Sequence, residues 1–284
     1  MERSFIEYGG HRLAVYTGGK DEGPACVFIH GGPGGRSPLD FGDLLSERFR
    51  TVMYDQYGGG DSDPYNGEDD LDAEYYMAEA RDVIPRLVSV DYVIIGYSWG
   101  AVPAVAYASS CRDPHFKGLI LLSPFLSGPL WTRDQLDILR GISPEMAEDM
   151  ARYVREGYVG DEAMEILAEL FENVLFTEEE NRKRARGFAH VPYGKVCLKL
   201  WGKNDGIPIG PLKDLDMTGV LRNISVPVLV IFGDRDQVTE ETASYYCNNL
   251  RYPKYAEIVN AGHYSIREKP LDFINEMSKF INNC

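Results

Sequence analysis

The chain has 284 residues, 44% hydrophobic and 26% charged, which suits one large α/β domain or a domain carrying an insertion. Lys and Arg total 29 against 44 Asp and Glu, a formal net charge of −15. That balance excludes the basic footprint needed by nucleic acid and anionic membranes, and the five scattered cysteines, without C-x-x-C spacing, suggest neither a disulfide framework nor a zinc site.

The N-terminal stretch lacks an apolar signal-peptide core, and no apolar run reaches the roughly 18 residues of a membrane span. A cytoplasmic location is expected. In chain order, "SFIEY" (4–8) and "RLAVYT" (12–17) flank "GGH" and predict a β-hairpin. "PACVFIH" (24–30) is a short continuous apolar run, the pattern of a strand buried on both faces. A helix is predicted over 39–49, a strand over 50–55, and a helix over 72–89 in which Pro85 predicts a kink or break. "DYVIIGYS" predicts a strand, "WGAVPAVAYASSC" a helix and "FKGLILLSP" a strand. This alternation predicts a mostly parallel sheet with helices on both faces.

From 124 to 216 the pattern turns amphipathic and charged, with helices predicted over 145–157 and 161–176 and no buried strand. Sheet grammar resumes with "VPVLVIFGD" (226–234), a helix over 241–250, a strand over 255–262 and a last helix over 269–282. The expected organisation is a core of residues 1–123 and 217–284, with residues 124–216 inserted as a helical cap.

The chemistry is carried by short motifs at strand ends. "GYSWG" (96–100) matches G-x-S-x-G between a predicted strand and a predicted helix, the context of a nucleophile elbow. Ser98 is the candidate nucleophile. A serine hydroxyl needs a base, and of the five histidines His263, in "NAGHYS", follows the last predicted strand at the same carboxyl edge. His190, within the predicted cap, is the rival base; His11 and His115 read as bystanders. The acid should follow a strand and precede the histidine, and "GDRD" (233–236) offers two. Asp236 is preferred because the turn must first clear the strand end, and Asp234 is the fallback.

The tetrahedral transition state needs N–H donors. "HGGPGG" (30–35) follows a strand and assigns one donor to the Gly32 N–H; the other is the N–H of Trp99. His30 reads as a structural hydrogen-bonder behind that loop. The acidic loop "DSDPYNGEDD" (61–70) lacks calcium-loop spacing and reads as solvated. "NRKRAR" (181–186) reads as a solvated helix face.

"HGGPGG", "YDQYGGGDS", "GYSWG", "GDRD" and "AGH", in this order, resemble α/β-hydrolases of the prolyl iminopeptidase family, and the resemblance covers nearly the whole chain. It implies an α/β-hydrolase fold, a helical cap, a Ser98–Asp236–His263 triad, and release of an N-terminal residue from small peptides. It also implies two carboxylates that bind the substrate amine. Asp205 falls where a Glu is common, and Gln237, neutral, stands where the second acid often follows the catalytic Asp. The expected partner is a small peptide or aminoacyl substrate, and no metal or organic cofactor is required. The rival enzyme reading is an esterase, lactonase or amidase for uncharged substrates. The rival from another class is a ligand receptor on a hydrolase scaffold, against which the complete triad argues.

Overall fold

The structure, a computed structural model, describes residues 1–20, 23–156, 194–203 and 206–284. Eight strands form one sheet in the order β1-β2-β4-β3-β5-β6-β7-β8. They are β1 (Glu2–Tyr8), β2 (His11–Gly18), β3 (Ala25–Ile29), β4 (Arg50–Tyr54), β5 (Tyr92–Tyr97), β6 (Phe116–Leu122), β7 (Val228–Gly233) and β8 (Pro253–Ile258). β1 and β2 form the expected hairpin, and β2 also pairs antiparallel with β4. From β4 through β8 every pairing is parallel.

The continuous apolar strands follow from burial on both faces. In β3, Ala25, Val27 and Ile29 face one core while Cys26 and Phe28 face the other. One face is covered by α1 (Leu39–Ser46), through Phe41 and Leu45, and by the final helix Pro270–Ile281, through Phe273, Ile274 and Met277. The opposite face is covered by α2 (Ala73–Leu87), α3 (Ala101–Ser110) and the helix Glu240–Asn249.

Pro85 does not break α2. It lies in the last turn of a helix that runs on to Leu87, which forgoes the one bond a proline N–H cannot make to the Arg81 carbonyl. The start is set by Asp72, whose carboxylate accepts the Tyr75 N–H at 2.9 Å as an N-cap. Between β6 and β7 lie α4 (Gly128–Ile142), which sequence periodicity did not single out, and α5 (Pro144–Glu156), predicted within one residue at each end. The predicted helix over 161–176, the basic run over 181–186, His190 and Asp205 fall outside the described residues.

The acidic loop is largely exposed, as expected. It is also tied to the body of the protein: Arg3 donates to Asp61 at 2.7 Å, the Arg12 N–H to Asp63 at 2.8 Å, and the Tyr57 hydroxyl to Asp69 at 2.5 Å.

Candidate active site

The carboxyl ends of β3, β4, β5, β7 and β8 carry the residues that converge. Open parallel sheets place ligands outside this edge. After β5 the chain turns sharply, and Ser98 adopts φ 53°, a left-handed conformation uncommon for serine. The flanking glycines make the turn possible. A Cβ on Gly96 would stand 2.8 Å from the Ala101 Cα, and one on Gly100 would stand 2.2 Å from the Ile29 carbonyl oxygen. The short turn Ser98–Gly100 leads directly into α3, so the Trp99 N–H lies among the first N–H groups of a helical segment.

His263 follows β8 and is 6% exposed, and Asp236 follows β7 and is 5% exposed. The His263 Nε2 lies 3.1 Å from the Ser98 Oγ, and its Nδ1 lies 2.7 Å from Asp236 Oδ1. With Nδ1–H donating to the carboxylate, Nε2 is left to accept the serine proton. The Asp236 carboxylate also accepts from the Ser123 hydroxyl at 2.5 Å, and from the N–H groups of Val238 at 3.3 Å and Gly233 at 3.4 Å.

Asp234 has a separate place. Its carboxylate accepts the Ala261 N–H at 3.1 Å, and its own N–H donates to the Ile258 carbonyl at 3.0 Å. It therefore ties the acid loop to the strand and loop that carry His263. The Tyr97 hydroxyl donates to the His263 carbonyl at 3.0 Å and adds a further restraint.

The glycine loop after β3 meets the elbow. A Cβ on Gly31 would stand 3.0 Å from the Ser98 Cβ, so this backbone passes directly beside the serine. Gly32 has φ 109°, and a Cβ there would stand 2.6 Å from the Gly35 N, so the conformation requires glycine. His30 is fully buried and hydrogen-bonded to the backbone of Gly31 and Gln56, which fits its structural reading. His11 stacks on Tyr57 with ring centroids 3.8 Å apart, and His115 lies 2.8 Å from Asp91; neither belongs to this cluster.

α4 supplies a wall that sequence reading missed. The Trp131 ring meets His263 edge-on at 5.5 Å and packs against Phe125 and Trp201 at 5.5 and 6.0 Å. The Trp131 indole N–H donates to the Gly206 carbonyl at 2.8 Å. Gln237, expected at the substrate amine, is 4% exposed and committed to α4. Its side-chain NH₂ donates to Gln135 Oε1 at 3.1 Å, and Gln135 returns a bond to the Gln237 carbonyl at 2.9 Å. That amide joins the helix to the acid loop.

Strand order, elbow and site together define the class. The chain belongs to the α/β-hydrolase fold family, whose model matches residues 24–270. It is a hydrolase, and within the family it resembles proline iminopeptidases. It is 28% identical over 287 residues to the proline iminopeptidase of Heyndrickxia coagulans, with 98% of each chain covered. The proline iminopeptidase of Mycobacterium smegmatis superposes with a TM-score of 0.81 at 20% identity, covering 99% of this chain and 98% of that one. The enol-lactonase of Burkholderia xenovorans LB400 shares the fold, with a TM-score of 0.70 at 20% identity over 98% of this chain and 100% of that one. Among the described residues, no helix is long and apolar enough to cross a membrane.

Proposed function

We propose that the chain is a serine hydrolase that releases an N-terminal residue from short peptides or aminoacyl amides through an acyl-enzyme. One observation carries this reading: the unbroken hydrogen-bonded run from Ser98 through His263 to Asp236. Ser98 Oγ attacks the scissile carbonyl carbon while its proton passes to His263 Nε2. The carbonyl oxygen becomes an oxyanion facing the Gly32 and Trp99 N–H groups, each worth about 3 kcal/mol of barrier. Collapse breaks the C–N bond, and the His263 proton goes to the leaving amine. Water then gives a proton to His263 and attacks the ester carbon; the C–Oγ bond breaks, the acid leaves, and His263 returns the proton to Ser98 Oγ.

Residues 124–216 serve as the cap, and the wall of Phe125, Trp131 and Trp201 limits the site to small substrates. Asp205 is the candidate partner of the substrate amine. What supports it is the resemblance of its segment, 202–216, to the one that carries an amine-binding acid in the prolyl iminopeptidase family. Gln237 is a weaker candidate, because its amide already holds Gln135.

The second reading is an esterase or lactonase for uncharged substrates. It is favoured by the neutral Gln237, whose amide is already engaged by Gln135. A panel of aminoacyl anilides, free and N-acetylated, run beside p-nitrophenyl esters, separates the two. The aminopeptidase reading predicts that acetylation of the amine abolishes cleavage. Equal cleavage of free and acetylated forms, with faster esters, selects the second.

A further inference from the structure

Gln56 lies just beyond β4 and is fully buried. Its neighbour Tyr57 is pinned by α2 on both sides: the Tyr57 N–H donates to Glu79 Oε2 at 3.1 Å, and the Tyr76 hydroxyl donates to the Tyr57 carbonyl at 2.9 Å. From that fixed point Gln56 reaches two other loops. Its backbone N–H donates to His30 Nε2 at 3.0 Å, and its side-chain NH₂ donates to the His30 carbonyl at 2.9 Å. Its Oε1 accepts the Trp99 indole N–H at 2.9 Å.

The first of these bonds selects a tautomer. A ring nitrogen that accepts from an amide carries no proton, so the His30 proton resides on Nδ1. That nitrogen lies 2.7 Å from the Gly31 carbonyl oxygen and donates to it. Burial lowers the His30 pKa and keeps the ring neutral, as the arrangement needs. The Gly31 carbonyl and the Gly32 N–H belong to one planar trans peptide and point in opposite directions. Fixing the carbonyl therefore aims the N–H.

The bond to the indole acts on the other donor. Trp99 is held at its ring nitrogen by Gln56, and Tyr76 packs edge-on against its ring at 5.7 Å. A tryptophan anchored at its far end resists rotation about the elbow, where its backbone N–H must stay aimed.

We propose that the Gln56 side chain is a positioning group for both oxyanion donors, the Gly32 N–H through its bond to the His30 carbonyl and the Trp99 N–H through its bond to the indole, the His30 tautomer being set by the Gln56 main chain in any variant; this rests on the serine-hydrolase reading above. The test uses Gln56→Met, which keeps the volume and the backbone N–H but removes both side-chain bonds. Trp99→Phe removes the indole N–H, together with part of the ring that packs against Tyr76. Gln56→Met lowers kcat by about 10- to 100-fold on anilide and ester alike, with KM changed less than about twofold. Affinity for a boronic acid, which forms a tetrahedral adduct on Ser98, falls in parallel, while inhibition by the amino-acid product does not change. Trp99→Phe lowers kcat about tenfold by itself and adds nothing in the Gln56→Met background, because the tie is already cut.

An unchanged kcat in Gln56→Met overturns the proposal, as do losses that simply multiply in the double variant. If circular dichroism shows that Gln56→Met does not fold, Trp99→Phe decides alone: unaltered kcat and boronate affinity overturn it. Fluorophosphonate labelling keeps the two readings apart. A wild-type enzyme unlabelled at Ser98 sinks the serine-hydrolase reading, whereas a labelled, active wild type with an unimpaired Gln56→Met sinks only the role of Gln56.

Discussion

Ser123 donates its hydroxyl to Asp236 Oδ2 at 2.5 Å while His263 Nδ1 occupies Oδ1 at 2.7 Å. Ser123 does this from a left-handed backbone, φ 46°, just beyond the end of β6. The acid is thus oriented by a residue from the strand next to its own. A hydrogen bond to a charged group contributes about 1.5–3 kcal/mol. Ser123→Ala is expected to lower kcat/KM about tenfold and to cost about 1–2 kcal/mol of stability, read by steady-state kinetics and urea denaturation. Wild-type kinetics in that variant would remove Ser123 from the relay.

The two aspartates of "GDRD" separate cleanly. Asp236→Asn alters the partner of His263 Nδ1 and favours the wrong tautomer, so kcat should fall by about 10⁴. Asp234→Asn keeps an acceptor for the Ala261 N–H and should leave kcat within about threefold. Side-by-side kinetics on one chromogenic substrate check this, and comparable losses would refute the assignment.

Glu79 predicts a pH dependence of stability. Its carboxyl is fully buried among Tyr54, Tyr75 and Tyr76, and burial pushes its pKa up from 4.5 to about 8, against the opposing hydrogen bond from Tyr57. The unfolded chain releases this proton near 4.5 and the folded chain near 8. Between those values the folded state binds more protons, so this contribution is complete below the lower value and is lost as pH rises through the upper one. The slope approaches about 1.4 kcal/mol per pH unit. Glu79→Gln keeps an acceptor for the Tyr57 N–H and should flatten the profile between pH 5 and 8. Parallel wild-type and variant profiles in urea would contradict it.

The Gln135–Gln237 pair gives a prediction against intuition. Gln237→Glu places a carboxylate where the family resemblance implies one, yet it removes the NH₂ that donates to Gln135. A buried acceptor loses its partner, at a cost of about 1–3 kcal/mol. The variant should melt lower and should not improve KM for aminoacyl substrates. A lower KM with unchanged Tm would restore Gln237 to the amine site.

Much of this site could be read from the sequence because its chemistry sits at strand ends. "VIIGYSWG", "VLVIFGDRD" and "VNAGH" each join a strand to a reactive side chain, and parallel strands deliver all three to one edge. What could not be read depends on loops meeting through side chains. Gln56, His30 and Trp99 are far apart in sequence, and nothing in their spacing reveals that one amide joins the other two. α4 escaped notice because Asp134 and Gln135 are buried on it, which breaks the apolar period; they hold Thr239 and Gln237 instead. A proline does not by itself end a helix: at Pro85 one bond is forgone and the helix continues to Leu87.

The measurement that bears most directly on the account is covalent labelling of the intact protein with a fluorophosphonate, followed by peptide mapping and by kinetics of Ser98→Ala. The account predicts one adduct, on the peptide carrying Ser98, stoichiometric loss of activity, and a variant about 10⁴- to 10⁶-fold slower than wild type. An enzyme that stays active after Ser98 is modified, or a Ser98→Ala variant that turns over normally, would contradict it.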